Sequence, residues 1–354
     1  MRAGLIGRIA AASAIVGLCH CSPGPSIDLE LKLAKGKTLI HKRCSSAKLE
    51  KGTPMKRSRW IMVLSLTAIL LGFTISRSAE KTNPATLLIR CDDIGMCHAV
   101  NMACKQLIES GVVFSASVMF PCPWYQEAVD LLKENPQISV GVHLTLNAEW
   151  TNYRWGPIIG RQAAASLIDS CGHFWPSRAS FIAHSPKIEE VEAEMRAQIE
   201  RALTSGLRID YLDHHMSTIV ETPELRELLE KLAKEYNLGI SRYFGENTLQ
   251  GIYAVPIEEK SDSLLTIIDR LQPGGTYLLV FHIGRDEPEL QAMKDLNSFG
   301  LPQMSRHRQA ELHALCSPDW REKAKQNQIE LITYRDLIAQ KTTAGMSRPQ
   351  VQQD

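Results

Sequence analysis

The chain has 354 residues, of which 44% are hydrophobic and 22% charged, an ordinary globular composition with room for one large α/β domain or two smaller ones. Lys and Arg total 40 against 39 Asp and Glu, for a formal charge of +1, and no long basic block appears. That balance gives no electrostatic argument for nucleic acid or for an acidic surface partner.

The first 85 residues differ from the rest. Met55-Lys56-Arg57-Ser58-Arg59 is a charged start, Trp60 to Ile75 is an apolar run, and Ser76-Arg77-Ser78-Ala79-Glu80 is a small-residue close, which together make a signal-peptide-like segment over 55–79. It predicts export to a periplasmic or extracellular location from a start at Met55, with residues 1–54 a mis-called or unstructured extension. An uncleaved membrane anchor at 60–75 is the alternative, since Arg77 interrupts the close and the run is slightly short for a full span. The basic start and apolar run of Met1 to Cys21 is a poor lipoprotein site, because Leu18 precedes Cys19. Six of the nine cysteines follow residue 80, none in a Cys-x-x-Cys pair, so a zinc ribbon or thioredoxin-type site has no support. Cys97 and Cys104 are expected as buried free thiols on one helix face.

Beyond residue 85, apolar periodicity predicts strands and helices in alternation. A strand over 86–91 leads to a helix over 98–109, a strand over 112–119 to a helix over 124–134, and a third strand covers Ile138 to Leu144. After an irregular aromatic stretch, 145–185, come a helix over 187–204, a strand over Leu207 to Leu212 and a helix over 223–236. A short strand near 238–242, a helix near 258–271, a strong strand from Thr276 to Phe281, helices between 306 and 326 and a last strand from Ile329 to Ile332 follow. Residues 341–354 read as a disordered polar tail. This rhythm calls for an α/β fold, a mostly parallel sheet covered by helices, and about seven units favour a closed or nearly closed (β/α) barrel over residues 80–340.

In either an open sheet or a barrel, functional residues sit at the carboxyl ends of the strands. Asp92 and Asp93 end the first strand, His143 the third, Asp213, His214 and His215 the fourth, and His282 the strong late one. Adjacent carboxylates at the end of a buried strand cost solvation unless a cation or a proton-transfer task accounts for them. One carboxylate with two histidines makes a facial set for a divalent metal, leaving the second carboxylate free to act as a base. Each residue also has a purely structural reading: a hydrogen-bonded strand-end histidine at His143, a helix N-cap for one aspartate, a core histidine at His282. His214 and His215 should point to opposite sides, so one of them ligates.

These residues carry a family resemblance. Cys91-Asp92-Asp93-Ile94-Gly95, then Gly111 to Ser117, Gly141-Val142-His143-Leu144-Thr145-Leu146, Tyr211-Leu212-Asp213-His214-His215, Phe281-His282 and Ser305 to Leu312 with Ser317-Pro318-Asp319 resemble, in order, the YdjC-like carbohydrate deacetylases of the chitooligosaccharide deacetylase group. The resemblance covers about residues 86–338. It implies a barrel of the polysaccharide-deacetylase type and removal of acetyl groups from N-acetylated sugars with a divalent metal, Mg2+ or Zn2+. It implies Asp93, His143 and His215 as metal ligands, Asp92 as the base acting on metal-activated water, and His282 as an acid or orienting group. Ile94 stands where the family usually has an aromatic residue, Cys91 where it has a small one, and Met216-Ser217-Thr218 replaces its later histidines, which leaves the metal set intact and the sugar open.

Trp150, Tyr153, Arg154, Trp155, Phe174 and Trp175 in the 145–185 stretch either grip a glycan or pack that stretch onto the barrel. Arg306, Arg308 and Glu311 read as a solvated or ion-paired helix face. The expected activity is metal-dependent deacetylation of a carbohydrate. A magnesium-dependent phosphoester hydrolase and a non-catalytic glycan-binding barrel are the alternatives: two histidine ligands count against the first, and a base beside the metal against the second.

Overall fold

Strand β1, Thr86–Ile94, is buried along nearly its whole length, and its period of two divides it between two environments. Leu87, Ile89 and Cys91 enter the large apolar core under the helices. Leu88 instead enters a smaller interior cluster with Tyr211, Leu278 and Tyr334, and Arg90 and Asp92 share its side of the strand. The computed structural model describes residues 83–349. The expected extension at 1–54, the signal-like segment at 55–79 and the end of the tail lie outside the described residues, among which no helix is long and apolar enough to cross a membrane.

The alternation read from the sequence is present throughout. Helix α1 (His98–Glu109), β2 (Ser115–Val118), α2 (Tyr125–Lys133) and β3 (Ser139–Leu144) come first. Then follow α3 (Arg178–Ala183), α4 (Ile188–Thr204), β4 (Ile209–His214), α5 (Pro223–Tyr236), β5 (Gly239–Ile240), β6 (Asn247–Thr248) and α6 (Lys260–Asp269). The chain closes with β7 (Thr276–Phe281), α7 (Pro288–Gln291), α8 (Met304–Cys316), α9 (Pro318–Gln326), β8 (Glu330–Ile332) and α10 (Tyr334–Lys341). Helix starts follow ordinary capping chemistry: Thr222 accepts from the Leu225 amide ahead of Pro223, and Thr333 with Asp336 forms a capping box.

All ladders are parallel, in the order β5-β4-β3-β2-β1-β7-β6. β8 pairs with the start of β1 at Thr86–Leu88, while β2 pairs with its far end from Arg90 to Ile94. β5 and β6 are the two ends of this path, so the expected (β/α) barrel takes the form of a half-barrel. Inside it, the Tyr211 ring lies over Gly141: a Cβ on Gly141 would stand 2.3 Å from Tyr211 Cε2. The Tyr211 hydroxyl hydrogen-bonds Ser117 Oγ at 2.9 Å.

Of the two expectations for the 145–185 stretch, packing onto the domain holds for Trp150, Trp155 and Phe174, which are buried, and α3 arises within that stretch. Where a polar tail was expected from 341 onward, the described residues are anchored: the Ser347 amide donates to the Tyr243 carbonyl and Arg348 pairs with Glu230. Cys97 and Cys104 are buried free thiols, and burial pushes each up to about 12.

Candidate metal centre

The carboxyl ends of β1, β3 and β4 bring Asp93, His143 and His215 together, with one ligand atom of each within 4.8 Å of the others. In β1 this depends on a one-residue bulge: Cys91 pairs with Ala116 and Ile94 with Val118, so Asp92 and Asp93 stand opposite a single residue of β2. Asp93 takes a left-handed φ of 62° and Gly95 one of 87°. Beyond His215, Met216 and Ser217 are left-handed as well, at 49° and 59°. Left-handed backbone in non-glycine residues at the turns that carry Asp93 and His215 is strain of the kind that gathers at functional sites.

His143 Nδ1 donates to Asp213 Oδ2 at 2.9 Å, and His215 Nε2 lies 3.0 Å from Glu149 Oε2. A carboxylate only accepts, so each of these ring nitrogens carries a proton. The other nitrogens converge on one atom: His143 Nε2 is 3.4 Å and His215 Nδ1 3.3 Å from Asp93 Oδ1, which is buried without a hydrogen-bond partner. Asp93 Oδ2 is occupied, accepting from Arg308 Nη2 at 2.6 Å. Two ring nitrogens and one unsatisfied carboxylate oxygen facing a common point, each histidine backed by its own acid, match the donor set that a divalent cation takes.

Charge balance supports the same fit. Asp92, Asp93, Asp213 and Glu149 are buried with two guanidiniums, Arg90 and Arg308, which leaves two positive charges wanting. Without a metal, protons supply them. Burial works against charge on His143, but Asp92 and Asp213 outweigh it and raise its pKa to about 9. Burial opposes His215 too, and Glu149 with Asp93 raises it to about 10. Burial alone would raise Asp93; the Arg308 charge and the two histidines instead hold it well below the usual carboxylate range. One divalent cation would take the place of both protons.

Arg90 fixes the other aspartate. Its Nε and Nη2 donate to the two oxygens of Asp92, each at 2.7 Å, and its Nη1 reaches Asp213 Oδ1 at 2.8 Å. Asp92 also belongs to a cluster with His143 and Asp213, so it stands beside the first set. His282 follows β7 with its backbone amide donating to Glu311 Oε2 at 2.7 Å, its ring edge-on to Tyr253 and its Nδ1 buried without a partner; burial lowers its pKa. His214 lies outside the convergent set, and burial depresses it to about 3.

Several participants escaped the sequence reading. Arg308 and Glu311 are buried in α8, not solvated; only Arg306 of the three makes no buried contact. The signal was available, since Met304, Arg308, Glu311 and Leu315 follow the buried stripe of that helix, where a charge demands a partner. Glu149 and the role of Arg90 had no such pattern, as one lies in the irregular stretch and the other inside a strand.

The fold and site define a parallel α/β half-barrel with a potential Asp-His-His metal site at the mouth. The family model for YdjC-like protein matches residues 86–326, and the chain belongs to that family. A carbohydrate deacetylase of Brevibacillus brevis is 32% identical over 154 residues, 44% of this chain, and the match spans only 58% of that relative. A carbohydrate deacetylase of Listeria monocytogenes is 26% identical over 267 residues, covering 71% of this chain and 99% of the relative. Among solved structures, an Enterococcus faecalis protein described as a cellobiose-phosphate cleavage protein is 25% identical, with a TM-score of 0.61 over 72% of this chain and 99% of that one.

Proposed function

We propose that this chain is a metal-dependent hydrolase that removes the acetyl group from an N-acetylated sugar or oligosaccharide. The observation that carries the reading is the convergence of His143 Nε2 and His215 Nδ1 on the unsatisfied Asp93 Oδ1. The names of the relatives supply the substrate class. Asp93, His143 and His215 would hold a divalent cation, Mg2+ or Zn2+, which when bound supplies Lewis-acid charge to the amide carbonyl and acidifies water.

The chain's own groups divide the remaining work. Asp92 takes the proton of the attacking water, and the Arg90 fork fixes its carboxylate in place while leaving lone pairs free. Asp213 holds the His143 ring in orientation through Nδ1. His282 takes up a proton from solvent and gives it to the departing amine, while Asp92 returns the water's proton to solvent; the depressed pKa of His282 makes its imidazolium a ready donor. The signal-like segment at 55–79 supports an exported protein, and mass spectrometry of the native N-terminus tests that part of the proposal.

The activity is tested by incubating the full chain with a panel of N-acetylated sugars, with added metal and with chelator, and measuring acetate. Acetate release that chelator suppresses is expected. No acetate from any sugar together with no bound metal overturns the proposal.

A further inference from the structure

We infer that Glu149 is a positioning residue of the metal centre, fixing the ring of His215 so that Nδ1 faces the cation, and that it ties two surface loops to that task. This rests on the reading of Asp93, His143 and His215 as the metal ligands. Glu149 comes from the irregular stretch after β3, not from a strand, and is 4% exposed. Its Oε2 lies 3.0 Å from His215 Nε2. A histidine uses one ring nitrogen for a metal and needs the other held, and here the hold selects the less common arrangement: His143 faces the centre through Nε2, His215 through Nδ1. Without an acceptor at Nε2, the His215 ring is free to turn over or to carry its proton on Nδ1, and either change removes a ligand.

The backbone around Glu149 is zipped to a second loop. The Leu296 amide donates to the Glu149 carbonyl at 2.7 Å, the Thr151 amide to the Lys294 carbonyl at 2.8 Å, and Trp150 bridges Asp295. The segment that carries the carboxylate is therefore held by residues 294–296, and Trp150, 1% exposed, anchors it in the core. Ordering these two loops and ordering His215 are one event, so metal binding should protect both loops.

The test uses the full chain and Zn2+ alone. Glu149→Leu should weaken Zn2+ binding by about 10- to 100-fold in calorimetry, while Glu149→Gln, which still offers an oxygen to Nε2–H, should recover much of the loss. In the Zn2+-loaded wild type, nitrogen-15 NMR should find the His215 proton on Nε2, and amide exchange should slow at residues 149–151 and 294–296 on loading. In Glu149→Leu both signatures should weaken, whereas a merely structural role would lower the stability of the metal-free protein and leave them intact. Wild-type affinity in Glu149→Leu with an unchanged His215 tautomer overturns this inference alone. A wild type that binds no Zn2+ overturns it together with the metal-site reading.

Discussion

Glu311 lies in α8 with its carboxylate fully buried, 3.5 Å from Lys260 Nζ and accepting the His282 amide. Burial outweighs both partners and raises its pKa from 4.5 to about 7. The folded state thus keeps a proton that the unfolded chain releases. The stabilisation is complete below the unfolded value near 4.5 and is lost as pH rises through the window up to about 7. At ~1.4 kcal/mol per unit, the loss across that window is about 3 kcal/mol.

Glu311→Gln removes the titration while keeping an oxygen for the His282 amide, and Lys260 retains the carbonyls of Ile252 and Tyr253. Urea unfolding followed by tryptophan fluorescence, at intervals from about pH 4.5 to pH 8, should show wild type and variant nearly equal at the acid end. The variant should gain progressively, to about 3 kcal/mol above pH 7. A difference that stays flat across the range, or a variant less stable at the alkaline end, refutes the assignment of a buried, proton-retaining Glu311.

Asp92→Asn should abolish acetate release while sparing metal content, because the base is lost and the ligand set is not; loss of metal instead would mean the roles of the two aspartates are reversed. Arg90→Met strips the cation from between Asp92 and Asp213 and should cost about 3–5 kcal/mol in denaturant unfolding, with a cost under about 1 kcal/mol speaking against the buried network. Gly141→Ala drives a methyl to 2.3 Å from the Tyr211 ring and should destabilise by about 1–3 kcal/mol, whereas a neutral result would mean that the ring moves freely.

The alternation of strands and helices was legible because buried parallel strands and amphipathic helices leave strong apolar periods: the helices His98–Glu109 and Pro223–Tyr236 and the strand Thr276–Phe281 fall where the pattern puts them. The convergence of Asp93, His143 and His215 followed from strand ends sharing one rim, and His215 separates from His214 because the interior side of β4 runs through Tyr211 and Asp213. What stayed hidden depends on tertiary placement. Two-residue strands such as β5 and β6 carry no period, and the position of Glu149 is set by a loop whose path no local pattern dictates. Arg308 and Glu311 were visible as charges, but only the packing of α8 against α6 and α1 makes them buried.

The neighbouring aspartates raise a geometric problem that the strand alone cannot solve. Along β1, odd positions Leu87, Ile89 and Cys91 face the helix-covered core, so a regular strand would send Asp93 there, away from His143 and His215. The extra residue at the bulge breaks that parity: Ile94 takes the core-facing place opposite Val118, and Asp93 is turned toward the rim with φ at 62°. Aspartate tolerates the left-handed region better than most residues, and the contacts of its carboxylate with Arg308 and the two histidines offset a backbone cost of about 1–2 kcal/mol. Asp92 needs no such distortion, since it stays in register with Leu88 and Arg90 and meets the Arg90 fork from the same side. One strained residue thus gives a single strand two carboxylates in different electrostatic settings, one open toward the histidines and one locked to a guanidinium.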